Sequence, residues 1–327
     1  ERPARWLGWA FIWCVLLPSV SWAQDHILEK SHWTDVHGTA SFDEARAASY
    51  TPYTGVLSKG FNTHVQWVRL KIGAVPADGP DTLVLRIRPV FLDEITLYDP
   101  VALAKGQAAR RSGDTTPLAN TEFESLNHAF VIPAQTAPRE VWLRLSTIST
   151  QLLHVEALTV REMLRQEHSL WLIYSALLAL ILSFLVWVFL AWLRDRDPVN
   201  GMFVLRQTIL LLYTASYLGY HRLLLSSWIS PQGQNLAYGW LVLLTTGLSF
   251  AFESRFLREY DLPRWAKWLL RGTLMTSAVA MALMLLGQSL WALQLNMVLN
   301  AWGILTMLLV SVSIRQPMQT QADADSY

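Results

Sequence analysis

The sequence predicts a two-part membrane protein, an exported all-β sandwich followed by an α-helical transmembrane bundle. Three observations carry that reading. A basic, apolar leader opens the chain, about 140 residues of strand-like alternation follow it, and five apolar segments crowd positions 170–314.

The leader comes first. Arg2 and Arg5 precede an apolar run from Trp6 to Leu17, then Pro18 and the small-x-small sequence Ser21-Trp22-Ala23. This is the pattern of a secretory signal peptide over 1–23, with Gln24 as the mature start. If cleavage failed, the stretch would anchor the chain and still leave the next domain outside. Cys14, the chain's one cysteine, follows Phe11-Ile12-Trp13 rather than the small residues of a lipoprotein site. The mature chain therefore has no disulfide.

Residues 24–160 have ordinary globular composition and length for one domain. Alternating runs are bounded by Gly, Pro, Asn and Asp, and only Ser41 to Ala48, beginning Ser-Phe-Asp-Glu, reads as a short helix. An antiparallel sandwich fits this pattern. A period of two assigns faces. Val68, Leu70 and Ile72 point one way while Trp67, Arg69 and Lys71 point the other. Leu83, Leu85 and Ile87 oppose Arg86 and Arg88, Ile95 and Leu97 oppose Thr96 and Tyr98, and Val141, Leu143 and Leu145 oppose Trp142 and Arg144. If the outward faces share one sheet, Trp67, Arg69, Arg86, Arg88, Tyr98, Trp142 and Arg144 make a ligand surface. Aromatic faces suit a stacked sugar ring, and guanidinium groups suit an anion. Two other readings stay open, since Arg and Trp also cover solvent faces of sandwiches or contact a partner subunit. The stretch from Gly106 to Asn120, with Arg110 and Arg111, reads as a mobile connection without a role.

A connector at 161–169 leads to spans at 170–192, 202–220, 236–252, 268–286 and 290–314, and a tail at 315–327. The first span has no charged residue and reaches roughly 34 Å at the helical rise, enough to cross a bilayer. Arg194, Arg196, Arg255, Arg258, Arg264, Lys267, Arg271 and Arg315 lie on one side, against Arg161, Arg165 and Arg222 on the other. Basic residues are retained inside, so the β-domain is outside, in the periplasm, and the C-terminus is cytoplasmic. Tryptophans such as Trp171, Trp192, Trp228, Trp240, Trp265, Trp268 and Trp291 mark the headgroup layers, with Trp187 and Trp302 as packing residues. Arg206 sits near the cytoplasmic end of the second span, where it either snorkels or forms a buried ion pair. Asn296 and Asn300 share one face of the fifth span and can bond to another helix or subunit. Gly201, Gly219, Gly239, Gly247 and Gly272 read as close-packing positions.

No enzyme signature is present. The eight His residues are scattered without H-E-x-x-H, and His26, His32, His64 and His128 read as surface or strand residues rather than metal ligands. No G-x-S-x-G elbow or phosphate-binding glycine loop appears. A net charge of +1 gives no reason to expect nucleic acid. No cofactor or metal is expected.

Gly60-Phe61-Asn62 with Val65-Gln66-Trp67-Val68-Arg69-Leu70, then Leu83-Val84-Leu85-Arg86-Ile87 and Phe91-Leu92-Asp93-Glu94-Ile95-Thr96-Leu97-Tyr98, resembles an extracellular sensor domain of bacterial receptors. Arg194-Asp195-Arg196-Asp197-Pro198 and Phe256-Leu257-Arg258 are similar to cytoplasmic loops of the same family, the seven-transmembrane receptors with diverse intracellular signalling modules. The resemblance covers nearly all the mature chain. It implies a jelly-roll-like periplasmic domain binding a carbohydrate or related small ligand, working as a homodimer and coupled to a diguanylate cyclase or histidine kinase. The chain shows five spans rather than seven and no effector, and so reads as truncated. The expectation is a sensory module of a Gram-negative inner membrane, its ligand biasing two arrangements of the bundle. An envelope scaffold is the runner-up and a transporter subunit the third reading.

Overall fold

The computed structural model describes residues 25–313, except 118–121, 124, 258–259 and 261. The expected leader and the tail at 315–327 lie outside the described residues. In chain order the first domain runs β1 (Ile27–Asp35), α1 (Phe42–Ala47), β2 (Thr51–Pro52), β3 (Leu57–Phe61), β4 (Val65–Ile72), β5 (Thr82–Arg88) and β6 (Glu94–Tyr98). It continues through α2 (Pro100–Ala104), β7 (Arg110–Ser112), β8 (His128–Pro133), β9 (Arg139–Ser146) and β10 (Thr150–Thr159).

Two sheets form, one of six strands in the order β2-β1-β4-β9-β6-β7 and one of four in the order β3-β10-β5-β8. Their strand pairs are antiparallel, so the domain is the antiparallel β-sandwich that its alternation predicts. The inward residues read from the period of two, among them Val68, Leu70, Leu85, Ile87, Leu97, Val141 and Leu143, are buried in one cluster between the sheets. Registers such as Leu70 opposite Val141 and Leu97 opposite Leu143 place them side by side. Each such side chain contributes roughly 1.5–3 kcal/mol by leaving water.

One local element follows its expectation and another departs from it. Helix α1 forms where Ser41 and Glu44 cap it reciprocally, Ser41 N–H donating to Glu44 Oε2 at 2.7 Å. It lies on the outer face of the six-stranded sheet, with Ala45 fully buried. The stretch expected as a mobile connection contributes β7, which pairs with β6. Arg110 fastens it, donating to Glu122 Oε2 and to the Val131 carbonyl, both at 2.7 Å.

The helical part consists of α3 (Val160–Asp195), α4 (Pro198–Tyr217), α5 (Tyr220–Leu225), α6 (Pro231–Phe256), α7 (Arg264–Leu285) and α8 (Ser289–Ser313). Among the described residues, α3, α6, α7 and α8 are long and apolar enough to cross a membrane. Helix α4 falls short because Asn200, Arg206 and Gln207 dilute its apolar run. The connector expected at 161–169 is helical and runs on into the first span. Strand β10 ends at Thr159 and α3 starts at Val160, with Thr159 and Glu162 forming a capping box, so positions 161–169 are the first turns of α3. Arg196 in the left-handed region (φ 52°) closes α3, and Asp197 caps α4 by accepting from Asn200 N–H at 3.1 Å.

Packing in the bundle sorts the glycines. A Cβ on Gly239 or Gly247 would lie 2.5 Å from the Met284 or Met281 side chain, so both let α6 approach α7 closely. Gly272 meets nothing within 4 Å and is not a packing position. Trp187 and Trp302 are not packing residues within the bundle, because both turn outward from it. Asn300 Nδ2 donates to Thr246 Oγ1 at 3.2 Å, joining α8 to α6, while Asn296 is buried beside it. Arg206 makes no ion pair with Glu253. It donates to Ser249 Oγ at 3.0 Å and lies over the rings of Phe203 and Phe252.

Candidate binding site and domain junction

The seven residues expected to form one ligand surface do not meet on one sheet. Trp67, Arg69, Tyr98, Trp142 and Arg144 share the outer face of the six-stranded sheet, where Trp67 opposes Arg144 and Trp142 opposes both Arg69 and Tyr98. Arg86 and Arg88 belong to β5 in the other sheet. A period of two tells which residues share a face of a strand, and says nothing of which sheet that strand joins.

The aromatic part of the surface is closed. Trp67 is 0% exposed and Trp142 3%, because α1 folds over them. Phe42 stacks on Tyr98 at 4.8 Å between centroids and meets Trp142 edge-on at 5.6 Å. Arg144 donates to the Gly38 carbonyl at 3.2 Å, tying down the turn before α1. These residues form a small second core, so a ligand cannot stack on Trp67 or Trp142 without displacing the helix.

Arg69 lies beyond the edge of α1 and stays accessible. It borders a cavity of about 610 Å³ whose wall includes Lys30, Tyr50, Tyr53, Lys71 and Glu140. Its guanidinium sits over the Tyr50 ring at 4.9 Å, donates to Ser31 Oγ at 3.3 Å and reaches Glu140 at 3.8 Å. Lys71 pairs with Glu29 at 2.6 Å and Lys30 with Asp25 at 3.2 Å. The Tyr53 hydroxyl has no hydrogen-bond partner among the described residues, and burial holds its pKa well above the usual phenol value. It is thus a buried neutral donor lacking an acceptor, on a residue that lines the cavity.

On the four-stranded sheet, Arg86 is buried and gives two hydrogen bonds to Glu156 Oε2, at 3.0 Å from Nε and 2.5 Å from Nη2. Arg88 shares that oxygen at 3.2 Å and reaches His154 Nδ1 at 3.0 Å. Burial alone would raise the Glu156 carboxyl, but Arg86 and then Arg88 hold it below the ordinary range.

Where the β-domain meets the helices, a set of residues appears that the strand pattern did not single out. Asp93 Oδ1 accepts from Asn235 of α6 at 2.6 Å, while its other oxygen accepts from Thr147 and Ile148 of the domain. His128 donates from Nε2 to the Val90 carbonyl at 2.8 Å, so Nδ1 is free to accept from Arg222 of α5 at 3.1 Å. Burial, and then the Arg222 charge, keep that imidazole neutral, its pKa far below the ordinary value. Asn127 donates to Glu167 of α3 at 3.0 Å, and Phe91 stacks on Tyr238 of α6. Gly219 (φ +90°) touches the Leu126 carbonyl, so its close approach is to the β-domain rather than to another helix. His128, the first residue of β8, is thus a buried strand residue at this junction. The signal available in the sequence was Arg222, the single Asp, Glu, Lys or Arg between the second and third spans.

Asp114 also faces Arg222, and burial pushes its carboxyl up to about 8, with Asp93 adding to the rise and Arg222 opposing it. A carboxyl raised in the folded state holds a proton that the unfolded chain releases between about pH 4 and 8, so its contribution to stability falls as pH rises through that window. Asp114→Asn should remove the fall, leaving the variant more stable than the parent by several kcal/mol, on the order of 5, at pH 8 and equal to it near pH 4. Thermal unfolding of the full chain in detergent at the two pH values measures this. Parallel pH profiles would show that Asp114 is ionised in the fold.

Among the described residues no three His, Cys, Asp or Glu side chains gather as a metal site. Residues 29–159 match the family model described as 7TMR-DISM extracellular 2, and residues 167–324 match the one described as 7TM diverse intracellular signalling. A comparison with curated proteins finds no match.

Proposed function

The chain belongs to the seven-transmembrane receptors with diverse intracellular signalling, carrying an extracellular domain and then a transmembrane domain of that family, and we propose that it is a sensory module in which the β-domain binds a carbohydrate-like or anionic small ligand. Both matched domains are of receptor type rather than catalytic. The observation that carries the ligand reading is the cavity beside Arg69, where a guanidinium and two tyrosines border a space suited to a sugar or a small acid.

The route from that cavity inward supports signalling. The cavity touches β1 and β4, Lys30 of β1 donates to the Val155 carbonyl of β10 at 2.6 Å, and β10 passes into α3 without a loop. A ligand that binds one arrangement of β1 more tightly would shift the population of helix arrangements by that difference. In this reading the β-domain is periplasmic and the C-terminus cytoplasmic, in an inner membrane, with a cytoplasmic effector receiving the signal. Contacts of the β-domain with Arg222 and with Gln294 at the start of α8 lie on one side of the helices, opposite Arg194, Arg196 and Arg255.

Titration calorimetry on the full chain in detergent, with neutral saccharides, uronic acids and dicarboxylates, tests the reading. Arg69→Gln and Tyr53→Phe should each weaken a bound ligand by roughly tenfold. Equal binding by both variants would place the ligand elsewhere and defeat the proposal.

A further inference from the structure

A second cavity, of about 430 Å³, lies between the four-stranded sheet and the helices, apart from the one beside Arg69. Arg88, Asn127 and His154 border it from the β-domain, and Tyr174, Tyr217 and Leu218 border it from α3 and α4. No carboxylate lines it. The nearest ones are engaged, Glu156 by Arg86 and Arg88, and Glu167 by Asn127 and the Leu126 N–H. Arg88 stays 36% exposed at its side chain, and its side-chain hydrogen bonds to Glu156 and His154 both leave from Nη2. Nε and Nη1 therefore have no partner among the described residues.

Two guanidinium groups share one carboxylate oxygen here. Burial, and then the neighbouring Arg86, already disfavour the Arg88 charge, a strain that a further anion would relieve. His154 is also held neutral, by burial first, so Arg88 is the cation that the cavity presents.

Depth in the membrane defines the rest. Tyr174 lies four residues past Leu170, where the first apolar segment begins, a distance of about 6 Å along the helix. Trp171 packs edge-on against Tyr220 at 5.8 Å, so aromatic rings ring this level as they do in a headgroup layer. Beyond the polar groups the wall is apolar, formed by Leu218, Leu152 and Val56.

We propose that this junction cavity binds a phosphate ester carried on an apolar body, the chemistry that an outer-leaflet phospholipid presents. The phosphate takes the free guanidinium donors of Arg88 and the hydroxyls of Tyr174 and Tyr217, and the apolar wall takes the start of the acyl chains. The site is separate from the cavity beside Arg69, so either reading can fail without the other.

Native mass spectrometry of the full chain in detergent, titrated with dioleoyl phosphatidylglycerol, tests it. One lipid should be retained per chain. Arg88→Gln should lower its occupancy roughly tenfold, and so should Val56→Trp, which plugs the mouth from a position already 47% exposed and so spares the core. Arg69→Gln should leave it unchanged. Unaltered occupancy in both the Arg88 and Val56 variants overturns the proposal. Equal retention of uncharged dioleoylglycerol overturns the phosphate recognition, and full displacement by excess glycerol 3-phosphate overturns the requirement for an apolar body.

Discussion

Replacing Trp67 by Ala is expected to destabilise the β-domain by about 3–5 kcal/mol, the range for removing a fully buried aromatic side chain. Trp67 has no exposed surface, lies 5.2 Å from Tyr98 and 6.4 Å from Phe42 between centroids, and anchors α1 to the sheet. Its loss opens a cavity that neither the short helix nor the flat sheet can close. Trp67 does not border the cavity beside Arg69, so ligand affinity in the fraction that stays folded should hardly change. Urea unfolding and calorimetry on the same preparation separate the two effects. A loss of stability under about 1 kcal/mol, with ligand binding abolished, would mean that α1 lifts away and the aromatic face is the site after all.

The second large effect is at the junction. Gly219→Ala should cost about 2–4 kcal/mol, for two reasons that add. Its φ of +90° is a conformation that L side chains rarely adopt, and an added Cβ would lie 2.7 Å from the Leu126 backbone carbonyl. A carbonyl in the backbone cannot rotate aside as a side chain does, so the β-domain and α5 must part. Hydrogen exchange should then speed up at Asn127 and His128, which bond to Glu167 and Arg222 across the same contact. Gly272→Ala is the control, since its Cβ meets nothing within 4 Å and helix propensity alone should stabilise α7 by about 0.5–1 kcal/mol. Similar melting shifts for the two variants would refute the junction account.

The candidate site was legible only in part. Alternation turns Arg69 and Arg88 outward and each borders a cavity, but the two cavities lie on different sheets. Tyr50 and Tyr53 were invisible to the strand pattern because they lie around the two-residue strand β2, too short to show alternation. Alternation rightly turns Trp67 and Trp142 away from the main core but leaves them open to a ligand, because it cannot show that a helix at least 20 residues earlier in the chain covers them. The junction residues Asp93, Asp114, His128, Arg222 and Asn235 are single polar positions in turns and ends of elements, with no period to mark them.

Local periodicity, then, determined the elements and their faces. Inward Val, Leu and Ile at every second position, and unbroken apolar runs long enough for a bilayer, follow from backbone geometry and solvent alone, and both depend on residues close in the chain. Which sheet a strand joins, what covers its outer face and which polar groups pair across the domain junction depend on residues up to 233 positions apart, as Phe61 and Gln294 are. Such pairs form only once the chain has folded, because each buried polar group is stable only where the tertiary structure supplies its partner.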